Sequence, residues 1–146
     1  MSIFSSLHIS GSGMTAERLR MDVVADNLAN VNTTRTPGGG PFKRHHVIFE
    51  SRQSTFGAAL GRAMDGGTGL DGVHVVGIEE DNAPPRRVYE PGHPDAKPDG
   101  YVDMPNISTV TEMVDMMTAT RAYEANVAAV QAAKQMAMKA LEISRA

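Results

Sequence analysis

Residues 105–146 read PNISTVTEMVDMMTATRAYEANVAAVQAAKQMAMKALEISRA, and after Pro105 they contain neither Pro nor Gly, the two residues that interrupt a helix. Ser108 or Thr109 can accept the first free amide hydrogens, and Thr109-x-x-Glu112 has the form of a capping box. A helix is therefore predicted from this point to about Ile143. At about 1.5 Å per residue it is roughly 50 Å long. Met113, Met116, Thr120, Tyr123, Val127, Val130, Lys134, Ala137 and Leu141 recur at alternating spacings of three and four. That is a heptad seam with two polar interruptions, Thr120 and Lys134. Ala122, Ala125, Ala128, Ala129, Ala132 and Ala133 flank it, and such small side chains let other helices come close.

A second helix is predicted over residues 3–31. Phe4, Leu7, Gly11, Met14, Met21, Val24, Leu28 and Val31 fall at spacings of three, four or seven and share one stripe. Ser10-Gly11-Ser12-Gly13 is its weak point, because each Gly costs about 1 kcal/mol relative to Ala inside a helix. Either the helix begins near Ser12, or the glycines lie where another backbone approaches closely. Asn30 to Thr34 then break the helix, and Thr36-Pro37-Gly38-Gly39-Gly40-Pro41 is a flexible connection. Strands are predicted around Val47-Ile48-Phe49, over residues 73–79 and at Arg87-Val88-Tyr89. Residues 57–72, dominated by Gly, Ala and Asp, form a long loop between the first two strands. The fold class is mainly α with a small β insert, the long terminal helices pairing as a coiled coil. Its parts are a helical arm over residues 1–34, an irregular β-containing insert over 35–104 and a long helix over 105–146.

A helix of that length exceeds the diameter expected of a compact domain of 146 residues. The first helix covers one face of the second, and the remaining faces are Ala-rich and mildly apolar. Further helices must cover them, and they must come from other molecules.

Composition excludes several functions. Only 5% of residues are aromatic and Trp is absent, which argues against a large packed interior. The 10 Met suit adaptable helix contacts, or equally a Met-rich core. With no Cys there is no disulfide, thiol catalysis or Cys-based zinc site. A net charge of -3 and no basic stripe argue against nucleic acid. Lys43, Arg44, His45 and His46 are the one basic cluster, expected as a solvated approach to a strand. The first twelve residues carry no basic and apolar regions of a cleavable export signal, and no apolar run is long enough for direct membrane insertion. Adjacent His45 and His46 would point to opposite faces of a strand and cannot easily share a metal ion. His93 lies in the turn-forming Gly92-His93-Pro94-Asp95, and a hydrolase built on His93 and Asp95 is a remote reading. Glu79, Glu80 and Asp81 are a solvated acidic run. No catalytic residue, metal ligand or cofactor is expected.

Two stretches carry a resemblance. Ser10 to Ala16, followed by Arg18-Leu19-Arg20-Met21-Asp22-Val23-Val24-Ala25-Asp26-Asn27-Leu28-Ala29-Asn30, is similar to the motif of the bacterial flagellar axial proteins of rod and hook. Asp26 departs mildly from that motif, in which Asn or Ser is frequent. Pro84-Pro85-Arg86, Val88-Tyr89-Glu90-Pro91-Gly92-His93-Pro94-Asp95-Ala96 and Arg121-Ala122-Tyr123-Glu124-Ala125-Asn126-Val127 extend the likeness, the Pro-Gly-His-Pro segment resembling a proximal-rod component. It covers both ends and most of the middle, leaving out residues 51–72. The resemblance implies a structural subunit of the basal-body rod, exported through the flagellar type III apparatus without a cleaved signal. Its partners would be other copies of itself, other rod proteins and basal-body components. It further implies terminal helices polymerised around an export channel in a periplasm-spanning shaft that transmits torque. The assembly residues are expected to be Leu7, Met14, Met21, Leu28, Asn27, Asn30, Met113, Met116, Tyr123, Asn126, Val127, Val130 and Leu141. Asn27, Asn30 and Asn126 would either fix the register of the arms or simply be solvated. The alternative is a soluble helical binding or chaperone-like adaptor module whose seam a transient partner fills.

Overall fold

The computed structural model describes residues 3–52, 60 and 72–145 of the chain. Its elements are α1 (Ile3–Ala29), β1 (His45–Ser51), β2 (Val73–Glu80), β3 (Arg86–Tyr89), β4 (Tyr101–Met104) and α2 (Thr109–Arg145). The two long terminal helices enclosing a small antiparallel β region agree with the expected fold class. Residues 57–72, expected as a long loop, lie outside the described residues except for Leu60 and Gly72.

α1 and α2 run antiparallel and pair one residue for one, with Asn27 beside Glu112 and Gly13 beside Asn126. α1 is unbroken through both glycines. At Gly13 an added Cβ would lie 3.0–3.2 Å from the amide of Asn126, whereas at Gly11 it would meet nothing within 4 Å. Close approach thus explains one glycine of the pair. The most buried side chains of the interface are Ala16, Val23 and Val24 on α1 and Ala119 and Ala133 on α2. Glu112, Ala119, Asn126 and Ala133, spaced by seven, point at α1, while their neighbours Met113 and Lys134 are exposed. The seam expected from large apolar residues is therefore offset by one residue at alternate positions. Met116, Tyr123, Val130 and Ala137 belong to both readings.

Ser108 caps α2, its hydroxyl accepting from the amide of Thr111 at 3.4 Å. The Thr109–Glu112 capping box does not form, because Glu112 lies one position too far along and its carboxylate turns into the interior. β1 and β2 form an antiparallel ribbon, and a register slip between Ile48 and Phe49 leaves Val76 unpaired in the ladder. The ribbon lies along α1 and is fastened to it near both ends. Asn27 bonds the main chain of His45 at one end, and Ser12 Oγ accepts from the amide of Val73 at 3.1 Å at the other. Gly72, at φ +84°, lets the chain pass against Ser12, with whose side chain an added Cβ would collide.

β3 and β4 form a second hairpin, of which β4 was not foreseen. With only four residues between Gly100 and Pro105, β4 is too short for its alternation to stand out. Tyr89 and Tyr101 pack edge to face at 5.2 Å, with the Arg87 guanidinium 4.9 Å over the Tyr101 ring. Val102, Pro105 and Ile107 are buried behind them and lead the chain into α2.

Candidate assembly interface

At the end of the arm where α1 finishes and α2 begins, a polar cluster is closed off from water. Asn27 is 1% exposed and acts as a strand partner for His45. Its Oδ1 accepts from the His45 amide and its Nδ2 donates to the His45 carbonyl, both at 2.8 Å. The same Nδ2 donates to Glu112 Oε2 at 3.1 Å. Arg44 Nε donates to Glu112 Oε1 at 2.6 Å, so both oxygens of this fully buried carboxylate are satisfied. Arg44 Nη2 reaches Asp115 at 3.0 Å, and Arg20 lies 3.7 Å from the other Asp115 oxygen. One cluster thus joins the end of α1, the start of β1 and the first turns of α2. It fixes the angle at which both helices leave the insert.

The basic cluster expected to be solvated is split in two. Lys43 stays outside, bonding Glu80 at 3.1 Å and Asn82 at 3.3 Å, while Arg44 turns inward. Arg44, Glu112 and Asp115 were absent from the expected site, since nothing local marks a basic residue that pairs with acids some 70 positions away. The available signal was the seven-residue spacing of Glu112 with Ala119, Asn126 and Ala133. His45 and His46 do face opposite sides of β1, half-buried and exposed respectively. Among the described residues no three His, Cys, Asp or Glu side chains are gathered as a metal site.

The expected assembly residues fall in three settings. Asn27 is buried within the subunit. Leu7, Met14, Met21, Leu28, Met116, Tyr123, Asn126, Val127 and Val130 are half-buried along the helix pair, where Thr120 Oγ1 lies 3.5 Å from the Met21 sulfur. Asn30 is also half-buried, and closes the end of α1 by donating to the Asp26 carbonyl at 3.0 Å. Met113 and Leu141 are exposed. With them Val110, Val114, Met117, Met136, Met138 and Ile143 are exposed on α2.

The pattern of the family "Flagella basal body rod protein" matches residues 7–35, and that of "Flagellar basal body rod FlgEFG protein C-terminal" matches residues 99–143. Over almost its whole length the chain is similar to proteins named flagellar basal-body rod protein FlgC. That of Bacillus subtilis is 45% identical, with 99% of this chain and 100% of the relative covered. That of Borreliella burgdorferi is 44% identical, with 98% of each covered, and that of Salmonella typhimurium 39%, with 99% and 100% covered. The chain belongs to the FlgC family. This FlgC-family chain is therefore a structural protein of the flagellar basal-body rod and not an enzyme. The two matched regions of the FlgC-family chain correspond to its two helices. Asn27 lies in one and Glu112 in the other, so the buried cluster spans both. No helix among the described residues is long and apolar enough to cross a membrane.

Proposed function

We propose that this FlgC-family subunit polymerises through its terminal helices, with copies of itself and with other rod proteins, into the shaft that transmits torque and encloses the export channel. The carrying observation is the face of α2 turned away from α1. There Val110 is 73% and Met117 54% exposed, with Val114 beside them on the same side of the helix. An apolar helix face without a partner inside its own chain is stabilised by burial against another molecule. Methionine suits such a face because it adapts to neighbours that are not identical. The buried Asn27–Arg44–Glu112 cluster supports the mechanical part of the reading, because a satisfied polar network holds arm and insert in one geometry. Delivery by the flagellar export apparatus is compatible with a chain that has no Cys to form a disulfide on crossing compartments.

Charge on that outer face tests the proposal. Val114→Asp with Met117→Asp should leave the folded monomer's helicity and unfolding midpoint unchanged, since neither side chain faces α1. The variant should still be exported, yet fail to enter rods or restore swimming to cells lacking the subunit. Normal rods containing the double variant would remove the outer face from the interface.

A further inference from the structure

The Pro-Gly-His-Pro-Asp stretch stands out in the sequence, yet neither the buried polar cluster nor the helix faces make use of it. It forms the loop of the second hairpin, where Pro91, Pro94 and Pro98 restrict the backbone and short-range bonds close successive turns. The His93 amide donates to the Glu90 carbonyl at 3.1 Å, and the Ala96 amide to the His93 carbonyl at 3.0 Å. The Asp95 amide donates to His93 Nδ1 at 3.1 Å. The Asp95 carboxylate reaches across to the exit of α1, where its Oδ2 accepts from Thr34 Oγ1 at 2.8 Å. Thr34 follows the turn that Thr33 closes by donating to Asn30 Oδ1 at 3.1 Å. One bond thus ties the hairpin loop to the end of the first helix.

The surroundings of the hairpin give that bond its weight. Neither β3 nor β4 lies alongside α1, α2 or the β1–β2 ribbon. Among the described residues, no second hydrogen bond and no ion pair joins residues 86–104 to the rest of the subunit. Val102, with Pro105 just beyond it, is buried and anchors the strand that leads into α2. Between the hairpin and the turn after α1 lies an open cleft of about 230 Å³, with Thr34, Arg35 and Pro41 on one side and Asp95, Lys97 and Asp103 on the other. Inside, the hairpin is well braced. Lys97 bonds Asp103 at 2.6 Å, Arg87 pairs with Asp99, and Tyr89 covers Gly100, where an added Cβ would lie 2.7 Å from the ring. A body that is stiff within and fastened at few points turns as a unit when a fastening is lost.

We infer that Thr34 and Asp95 form a clasp that fixes the angle of the β3–β4 hairpin against the helical arm, and that the Pro-Gly-His-Pro-Asp loop serves to present Asp95 to it. The clasp sets the direction in which the exposed Tyr89 ring points. It adds little to the stability of the helix pair, because an exposed hydrogen bond competes with water. The inference concerns the single subunit and goes beyond the rod reading, which its failure would leave intact. The absence of native cysteines allows spin labels to be placed on the full chain at Glu90→Cys in the hairpin and Glu124→Cys on α2, both exposed positions. With the clasp intact, the distance between the labels should follow one narrow distribution. Thr34→Val, which removes the hydroxyl, should shift and broaden that distribution, and Thr34→Ser should restore it. The urea midpoint of the helices should be the same in all three. An unchanged distribution in Thr34→Val would overturn the clasp, because packing alone would then hold the hairpin. So would a broad distribution with Thr34 in place, a failure of Thr34→Ser to restore the narrow one, or a loss of helicity in Thr34→Val.

Discussion

Glu112 has no exposed surface, and Asn27 and Arg44 donate to its two oxygens. Removing one partner therefore leaves a buried group unsatisfied, whereas removing both members of a pair does not. Arg44→Leu should destabilise the subunit by about 3–5 kcal/mol in urea unfolding. Arg44→Leu with Glu112→Met should lose less than the sum of the two single variants; additive losses would show that the pair is not coupled. Asn27→Ala strands the amide and carbonyl of His45 together with Glu112, and should cost about 2–4 kcal/mol by the same measurement. At this scale the sequence was only partly legible. Asn27 stood out as part of a motif, but its partner is a main chain 18 residues on. Arg44 pairs with acids 68 and 71 residues away, and no local pattern announces either contact.

Helix α1 keeps two glycines for different reasons, which stability measurements can separate. Gly11→Ala should stabilise by about 0.5–1 kcal/mol, since the new methyl meets open space and the helix gains propensity. Gly13→Ala should gain less or lose, because Asn126 is held there by its bond to the Ala122 carbonyl at 2.9 Å and must shift. Equal gains at both positions would show that the helices do not approach at Gly13. The β3–β4 hairpin has its own acid sensitivity. The Tyr101 amide, with the Arg87 guanidinium, holds the exposed Asp99 carboxyl below the usual carboxylate range. A depressed value in the folded state means that the contribution is present in full above the ordinary carboxylate range and is lost as pH falls through the folded value. The Tyr101 amide resonance should move with that titration, and Asp99→Asn should abolish the movement. The type of both long helices was legible, and so was the extent of α2, because a run of 41 residues without Pro or Gly leaves little choice. Their facing was not. Size pointed to Met113, Val127 and Leu141, whereas the close interface uses Ala119 and Ala133 because small side chains bring the helix axes together.

For the molecule as a whole, the length of α2 against the mass of the chain already required outside partners, and the structure shows which part lacks them. α1 runs beside α2 as far as Met136, the ribbon lies on α1, and the end of α2 overhangs α1 from there to Arg145. Helical residues without tertiary packing are marginal in water, since most helix stability in proteins comes from a buried face. The isolated subunit should therefore exchange its amide hydrogens unevenly. Residues 112–126, held by the polar cluster and the Gly13 contact, should be the slowest, and residues 137–143 should exchange nearly as fast as free peptide. In assembled rods the same terminal segment should become protected, and Leu141→Asp should prevent that protection without changing exchange in residues 112–126. Strong protection of residues 137–143 in the free subunit would mean that the overhang is stable by itself. A neighbouring molecule would then not be needed to hold it in place.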